Sequence, residues 1–258
     1  MAMISGDKVN IVNRKPHPVG QEYKTVADAV TSCIIRVDVS SDVIQQKFDD
    51  RFNMKTIATV CRLRKPWFYS GRTVIADLWL GSPAMIRELE TFGMHSTMQV
   101  KKRSYWPRGM PEADILQELG PSFGKYVCFK STVDEIFVTA LRDRQPKAVI
   151  SNCGVTTLSN REITRYLPDV GYSTMRRLQV FDGYEENKFM WPIADIRNII
   201  VLNPFKGAVD TANNRRDNLT SFHDVMKSYR WEVRCLAFFL AIPEANAFSA
   251  YMLFALDG

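Results

Sequence analysis

A chain of 258 residues with 46% hydrophobic content can bury a sizeable core in one domain, or in one domain plus an insert, and a charged fraction of 24% excludes a disordered tail. The formal charge of +6 and the pI of about 9.1 suit a polyanion such as DNA, although many soluble proteins are this basic. Five scattered cysteines (Cys33, Cys61, Cys128, Cys153, Cys235) without a C-x-x-C pair, and only three histidines, argue against a zinc site and read as buried free thiols in a reducing compartment.

In chain order, Met1 to Asn13 carry no strong period, and Arg14-Lys15-Pro16-His17-Pro18 reads as an extended, proline-stiffened stretch. Cys33 to Val39 is rich in β-branched residues and predicts a strand. Ile57, Val60, Cys61 and Leu63 predict a short helix from Lys55 that ends before Pro66. Thr73 to Asp77 is an apolar strand that ends on an acid. Ser82 is placed as an N-cap, Pro83 at the first helical position and Gly93 as the terminator. His95 to Val100 predicts the next strand. This strand–helix–strand order implies a mixed α/β core with the acid at a strand's C-terminal end.

Lys125 to Lys130, Glu135 to Leu141 and Lys147 to Ser151 read as short strands in antiparallel hairpins. Gly154 to Ile196 reads as irregular and polar. Helical character returns near Asp210. The apolar stretch Cys235 to Leu256 approaches membrane-spanning length. Pro243, Glu244 and Asn246 interrupt it, and a central charge costs about 2.5–3.5 kcal/mol on insertion scales. It therefore reads as one or two core helices, and no membrane partner is expected.

Few residues stand out as chemistry. Asp77, at the mouth of a hydrophobic strand, can offer a hard oxygen to Mg²⁺ or merely turn the chain. Asp210, at a helix start, can complete a metal site or only complement the helix dipole. Arg215 and Arg216 can clamp phosphates bidentately or form a solvated face. Lys101, Lys102, Arg103, Tyr105, Trp106 and Arg108 interleave bases with aromatics. Such a run either contacts a nucleic-acid backbone and stacks on bases or is a basic surface loop. No G-x-G-x-x-G or P-loop sequence occurs, which weakens an unrelated nucleotide-using α/β enzyme.

At these residues the chain resembles the piggyBac-type transposases. Thr73-Val74-Ile75-Ala76-Asp77-Leu78-Trp79-Leu80-Gly81-Ser82 is similar to the segment that carries that family's second aspartate. Gly207-Ala208-Val209-Asp210 resembles the G-G-V-D segment of the third. Arg14 to Asp28, Tyr105 to Gly109, Asn213 to Arg216, Trp231 with Arg234, and Glu244 to Ala247 follow in the family's order. The resemblance runs from Arg14 to Phe254. It implies a ribonuclease-H-like α/β core with a β-rich insertion and C-terminal helices. The implied boundaries are 1–100 and 204–258 for the core and 101–203 for the insertion.

The resemblance also implies a nuclear protein that cleaves DNA and transfers strands by two-metal phosphoryl transfer. Asp77 and Asp210 would be catalytic residues and ligands of Mg²⁺ or Mn²⁺, and a homodimer is expected by analogy. The chain departs from the pattern in several places. The family's first aspartate lies well before the Arg14 segment, and Asp7, Asp28 and Asp38 do not match it. Two ions are expected only if that acid is supplied, so cleavage by this chain alone is not expected. Leu78, Leu80 and Ala208 are also atypical. The alternative expectation is a transposon-derived DNA-binding or protein-interaction domain without catalysis.

Overall fold

The structure, a computed structural model, describes residues 10–11, 19–20, 23–39, 55–76, 79–100, 119–142, 146–154, 157–167, 171–178, 208–219, 222–226 and 230–255. The chain forms two compact units, Met1–Pro66 with Gly207–Gly258, and Trp67–Lys206.

In the first unit, β1 (Asn10–Ile11) pairs with β2 (Val19–Gly20), and β3 (Tyr23–Ala27) pairs antiparallel with β4 (Ile34–Val39). The β3–β4 turn is fixed by Asp28, whose Oδ2 accepts from Val30 N at 3.2 Å and Thr31 N at 2.9 Å. Such an Asx turn satisfies backbone donors that the hairpin leaves unpaired. Helix α1 (Lys55–Arg64) buries Ile57, Val60, Cys61 and Leu63, the apolar set that predicted it, and packs on β4 and β3. It also buries Arg62, whose guanidinium donates from Nε to Asp38 Oδ1 at 3.1 Å and from Nη2 to Oδ2 at 3.0 Å. This two-point geometry explains a buried carboxylate in a strand rich in β-branched residues: neither charge is left unpaired by burial.

Three C-terminal helices complete this unit: α2 (Ala208–Asn218), α3 (Phe222–Val225) and α4 (Trp231–Ala255). Helix α4 is one continuous helix with Pro243 inside it. By length and composition it could cross a membrane. It is nonetheless tied into the unit. Ala237, Ala241, Ala245 and Ser249, spaced by four, are buried, and α2 and α3 pack on it. Tyr23 stacks on Phe238 with ring centroids 4.3 Å apart. The Tyr23 hydroxyl lies 3.1 Å from Cys235 Sγ, and burial, with that thiol as neighbour, pushes its pKa above the ordinary 10.0.

The second unit is built on a mixed five-stranded sheet. Its strands are β5 (Thr73–Ala76), β6 (His95–Val100), β7 (Tyr126–Lys130), β8 (Phe137–Arg142) and β9 (Pro146–Ser151), in the order β5-β6-β9-β8-β7. Strands β5 and β6 are parallel; the other pairs are antiparallel. The parallel pair needs a crossover, and helix α5 (Pro83–Thr91) supplies it, with Met85, Ile86 and Leu89 fully buried. Gly93 adopts φ +62 and donates to Glu90 O at 2.8 Å, while Met94 donates to Leu89 O at 3.1 Å. This double closure is the glycine-terminated end that the sequence indicated.

Strand β9 pairs with β6 in register Met98 with Ile150, and β8 and β9, apolar along most of their length, take inner positions of the sheet. Two expectations change. Residues 158–178, read as irregular, hold a hairpin of β10 (Leu158–Leu167) and β11 (Gly171–Leu178). Of the five thiols only Cys61 is buried, and Cys128 is exposed; none is in a disulfide.

Candidate catalytic carboxylates and their surroundings

The parallel register of β5 and β6 pairs Ala76 with Met98, so both strands leave the sheet at the same end. Chain direction then carries the polypeptide from Ala76 into Asp77 and from Val100 into the basic run that starts at Lys101. Asp77 lies outside the described residues, as do Lys101, Lys102, Arg103, Tyr105, Trp106 and Arg108. So do Arg14 to Pro18 and Tyr105 to Gly109 of the resembling segments.

The return from Asp77 to α5 is closely determined. A Cβ built on Gly81 would lie 2.1 Å from Gln99 O, so only glycine fits against β6 there. The next residue, Ser82, accepts from Met85 N through its Oγ at 3.2 Å, and Pro83 opens the helix. Trp79, two residues beyond Asp77, is 56% exposed. Gly81 and Trp79 were visible as letters, but nothing in a single sequence marks a backbone-to-carbonyl approach or the direction of an indole.

Asp210 sits in the first turn of α2 and is exposed. The reason is the helix stripe. Ala208 and Ala212 are buried, with Arg215 continuing that side, which turns Asp210, Asn214 and Asp217 away from the core. An acid in this first turn also lies favourably in the helix dipole.

Arg215 and Arg216 are engaged within the protein. Arg215 donates from Nη1 to Ser249 Oγ at 2.6 Å and to Thr31 O at 3.3 Å, linking α2 to α4 and to the β3–β4 turn. Arg216 donates to Asp217 Oδ1 from Nε at 3.0 Å and from Nη2 at 2.9 Å. Its guanidinium lies 4.7 Å from the centre of the Phe238 ring. Asn246, in the Glu244 to Ala247 segment, holds both backbone groups of Ile34: Oδ1 accepts from Ile34 N at 2.8 Å and Nδ2 donates to Ile34 O at 2.8 Å.

A carboxylate such as Asp210 has the hard-oxygen chemistry that Mg²⁺ or Mn²⁺ prefers. Among the described residues, however, no group of three His, Cys, Asp or Glu side chains could hold a metal ion. The described residues alone thus do not make up a metal site, and no metal-dependent step is assigned to them.

A mixed parallel–antiparallel sheet with a capped crossover helix, an acid following its parallel edge strand and C-terminal helices define a ribonuclease-H-like α/β protein. A family model described as Transposase IS4 matches residues 7–248, and the chain belongs to this IS4/piggyBac-type transposase family. The cryo-EM structure of the piggyBac transposase synaptic complex with hairpin DNA is similar, with a TM-score of 0.63 and 17% identity over 94% of this chain. At that identity the likeness establishes the fold. The chain spans 43% of that structure's chain. The search of curated proteins found no match.

Proposed function

We propose that this chain is the catalytic-core part of a piggyBac-like transposase, whose full-length form acts on DNA by phosphoryl transfer. The observation that carries this reading is the coincidence of the family match over residues 7–248 with a fold shared across 94% of the chain. Asp77 and Asp210 are the two residues that fall in the family's acidic segments. In their ionised forms they would hold Mg²⁺ or Mn²⁺, and a bound divalent ion would stabilise the charge that develops on phosphoryl oxygens. The chain's own contribution is positioning. The packing of Gly81 on Gln99 and the Ser82 cap fix where the chain returns after Asp77. The buried alanine stripe of α2 presents Asp210 outward.

Residues 1–258 offer two carboxylates in matching segments where the family chemistry uses three. The 258-residue polypeptide is therefore proposed to bind DNA without cleaving it. The same reading places its action in the nucleus, and a fluorescent fusion excluded from the nucleus would contradict that part. The basic balance of +6 supports DNA as partner. Binding of the purified chain to duplex DNA, followed by fluorescence anisotropy, should weaken steeply with salt. The slope of log K against log salt should be about −0.9 for each phosphate neutralised. Affinity that does not respond to salt, or no binding at all, would remove the DNA-directed function.

A further inference from the structure

Strand β7 lies at one edge of the five-stranded sheet and, among the described strands, is bonded to β8 alone. The hydrogen bonds at its two ends fix which of its backbone groups face outward. Arg142 N donates to Lys125 O and Ser131 N donates to Ile136 O, both at 2.8 Å. Bonded and non-bonded pairs alternate along an antiparallel ladder. With the register running from Tyr126↔Leu141 to Lys130↔Phe137, Val127 and Phe129 therefore turn their backbone groups to β8. Tyr126, Cys128 and Lys130 turn theirs to the open edge. The 3.3 Å contact between Cys128 Sγ and Thr139 Oγ1 fits a non-bonded pair, in which side chains stand closer.

The strand lacks most of the devices that keep exposed edges from pairing. It contains no proline and no register shift. Its one charge, Lys130, is its last residue and meets Glu135 Oε2 at 2.7 Å in a solvated ion pair. Outward N–H and C=O groups in this spacing fit an extended polypeptide strand. The side chains select which one. Tyr126, Cys128 and Lys130 share one face and are exposed, with the thiol at the centre, the ring at one end and the cation at the other. An inverted copy of the same strand, related by a two-fold axis at Cys128, complements this edge at both ends. Lys130 of each copy then meets the Tyr126 ring of the other, and Val127 stands opposite Phe129. The two Lys130 side chains are kept four positions apart, about 14 Å, which exceeds the screening length of about 8 Å. A copy running parallel in the same register would set them side by side at about 4.8 Å.

We propose that β7 is a self-association edge: two copies of this chain pair their β7 strands antiparallel about Cys128 and join their five-stranded sheets into one. This goes beyond the DNA-directed reading and does not depend on it. Five residues are a small part of the about 20–30 a side in a standard interface, so the dimer is weak and reversible.

The experiment is sedimentation velocity of the full chain under reducing conditions over a concentration series, with Cys128→Ser and Cys128→Pro alongside. Proline at this position removes an outward N–H but no bond to β8, and sheet edges accept it there. Wild type and Cys128→Ser should dimerise alike. Cys128→Pro should need at least about tenfold higher concentration, since the pair loses one hydrogen bond from each copy. A second readout needs no variant. Diamide, which takes two electrons and two protons from a pair of thiols, should link wild-type copies through Cys128, as peptide mapping would show. Bonded antiparallel pairs hold their Cα atoms about 5.5 Å apart, inside the range a disulfide spans. A wild-type chain that sediments as a single copy at every concentration would overturn the proposal. So would a dimer that forms equally well in Cys128→Pro and yields no link between the two Cys128 thiols.

Discussion

Asn246, in the middle of α4, accepts from the amide of Ile34 and donates to its carbonyl, both at 2.8 Å. A side-chain amide has the same donor and acceptor as a backbone peptide, so Asn246 does for β4 what a neighbouring strand residue would do. Substitution Asn246→Ala strips both partners from Ile34, a residue only 5% exposed. The expected loss is about 2–4 kcal/mol of unfolding free energy, from two part-buried groups left unsatisfied. Asn246→Asp keeps the acceptor and loses the donor, so it should fall between. Urea unfolding of the three proteins decides this; equal midpoints would show that the bridge contributes nothing.

Gly81 and Ser82 make separable contributions to the segment after Asp77. Gly81→Ala forces a methyl group towards Gln99 O, where an ideal Cβ would sit at 2.1 Å, and overpacking of this kind costs about 1–3 kcal/mol. Ser82→Ala removes only the cap on Met85 N, at about 1 kcal/mol. Gly81→Ala should also alter the emission of exposed Trp79 in the native state, whereas Ser82→Ala should not. A Gly81→Ala protein with unchanged stability and emission would show that the loop yields without consequence.

The ion pair between Arg87 on α5 and Asp134 before β8 joins two parts of the second unit. Hydrogen bonds from Ser131 and Arg87 hold the Asp134 carboxyl below its ordinary 3.8. A depressed carboxylate pKa stabilises the fold above the unfolded-state value and loses that contribution as pH falls through the folded-state value. The stability difference between wild type and Asp134→Asn should therefore be constant near neutrality and shrink only below about pH 3.8. A difference that disappears above that range would contradict the assignment, as would one insensitive to added salt, because the pair is solvent-exposed.

Much of this architecture was legible in the letters. Helix α1 and helix α5 with its cap, proline and terminal glycine follow from local rules that act within one turn. The strands from Ile34 to Ser151 announced themselves by β-branched runs. The β10–β11 hairpin escaped because both strands are rich in polar and charged residues, and apolar alternation was the signal sought. A cue was present in the letters alone, the turn-favouring residues Pro168, Asp169 and Gly171 between the two runs. The pairing of β9 with β6 was invisible for a different reason: sheet order is set by long-range packing, which no window of sequence contains. The same holds for the arginines. Arg215 is spent on Ser249 and Thr31, partners that lie 34 and 184 residues away in the chain, so a reading from neighbouring letters saw only a phosphate clamp or a solvated face.

The decisive measurement is the affinity of the full chain for Mn²⁺, read by electron paramagnetic resonance for the wild type, Asp77→Asn and Asp210→Asn. Each substitution removes a hard-oxygen donor and a negative charge while keeping side-chain size. If Asp77 and Asp210 are the metal-binding carboxylates of a transposase core, each variant should bind Mn²⁺ at least about tenfold more weakly, the cost of one charged ligand contact, with an unchanged unfolding midpoint in the absence of metal. Identical Mn²⁺ affinities in all three proteins would show that these aspartates are the turn and helix-start residues their local sequence also allows, and the catalytic reading of this chain would fall.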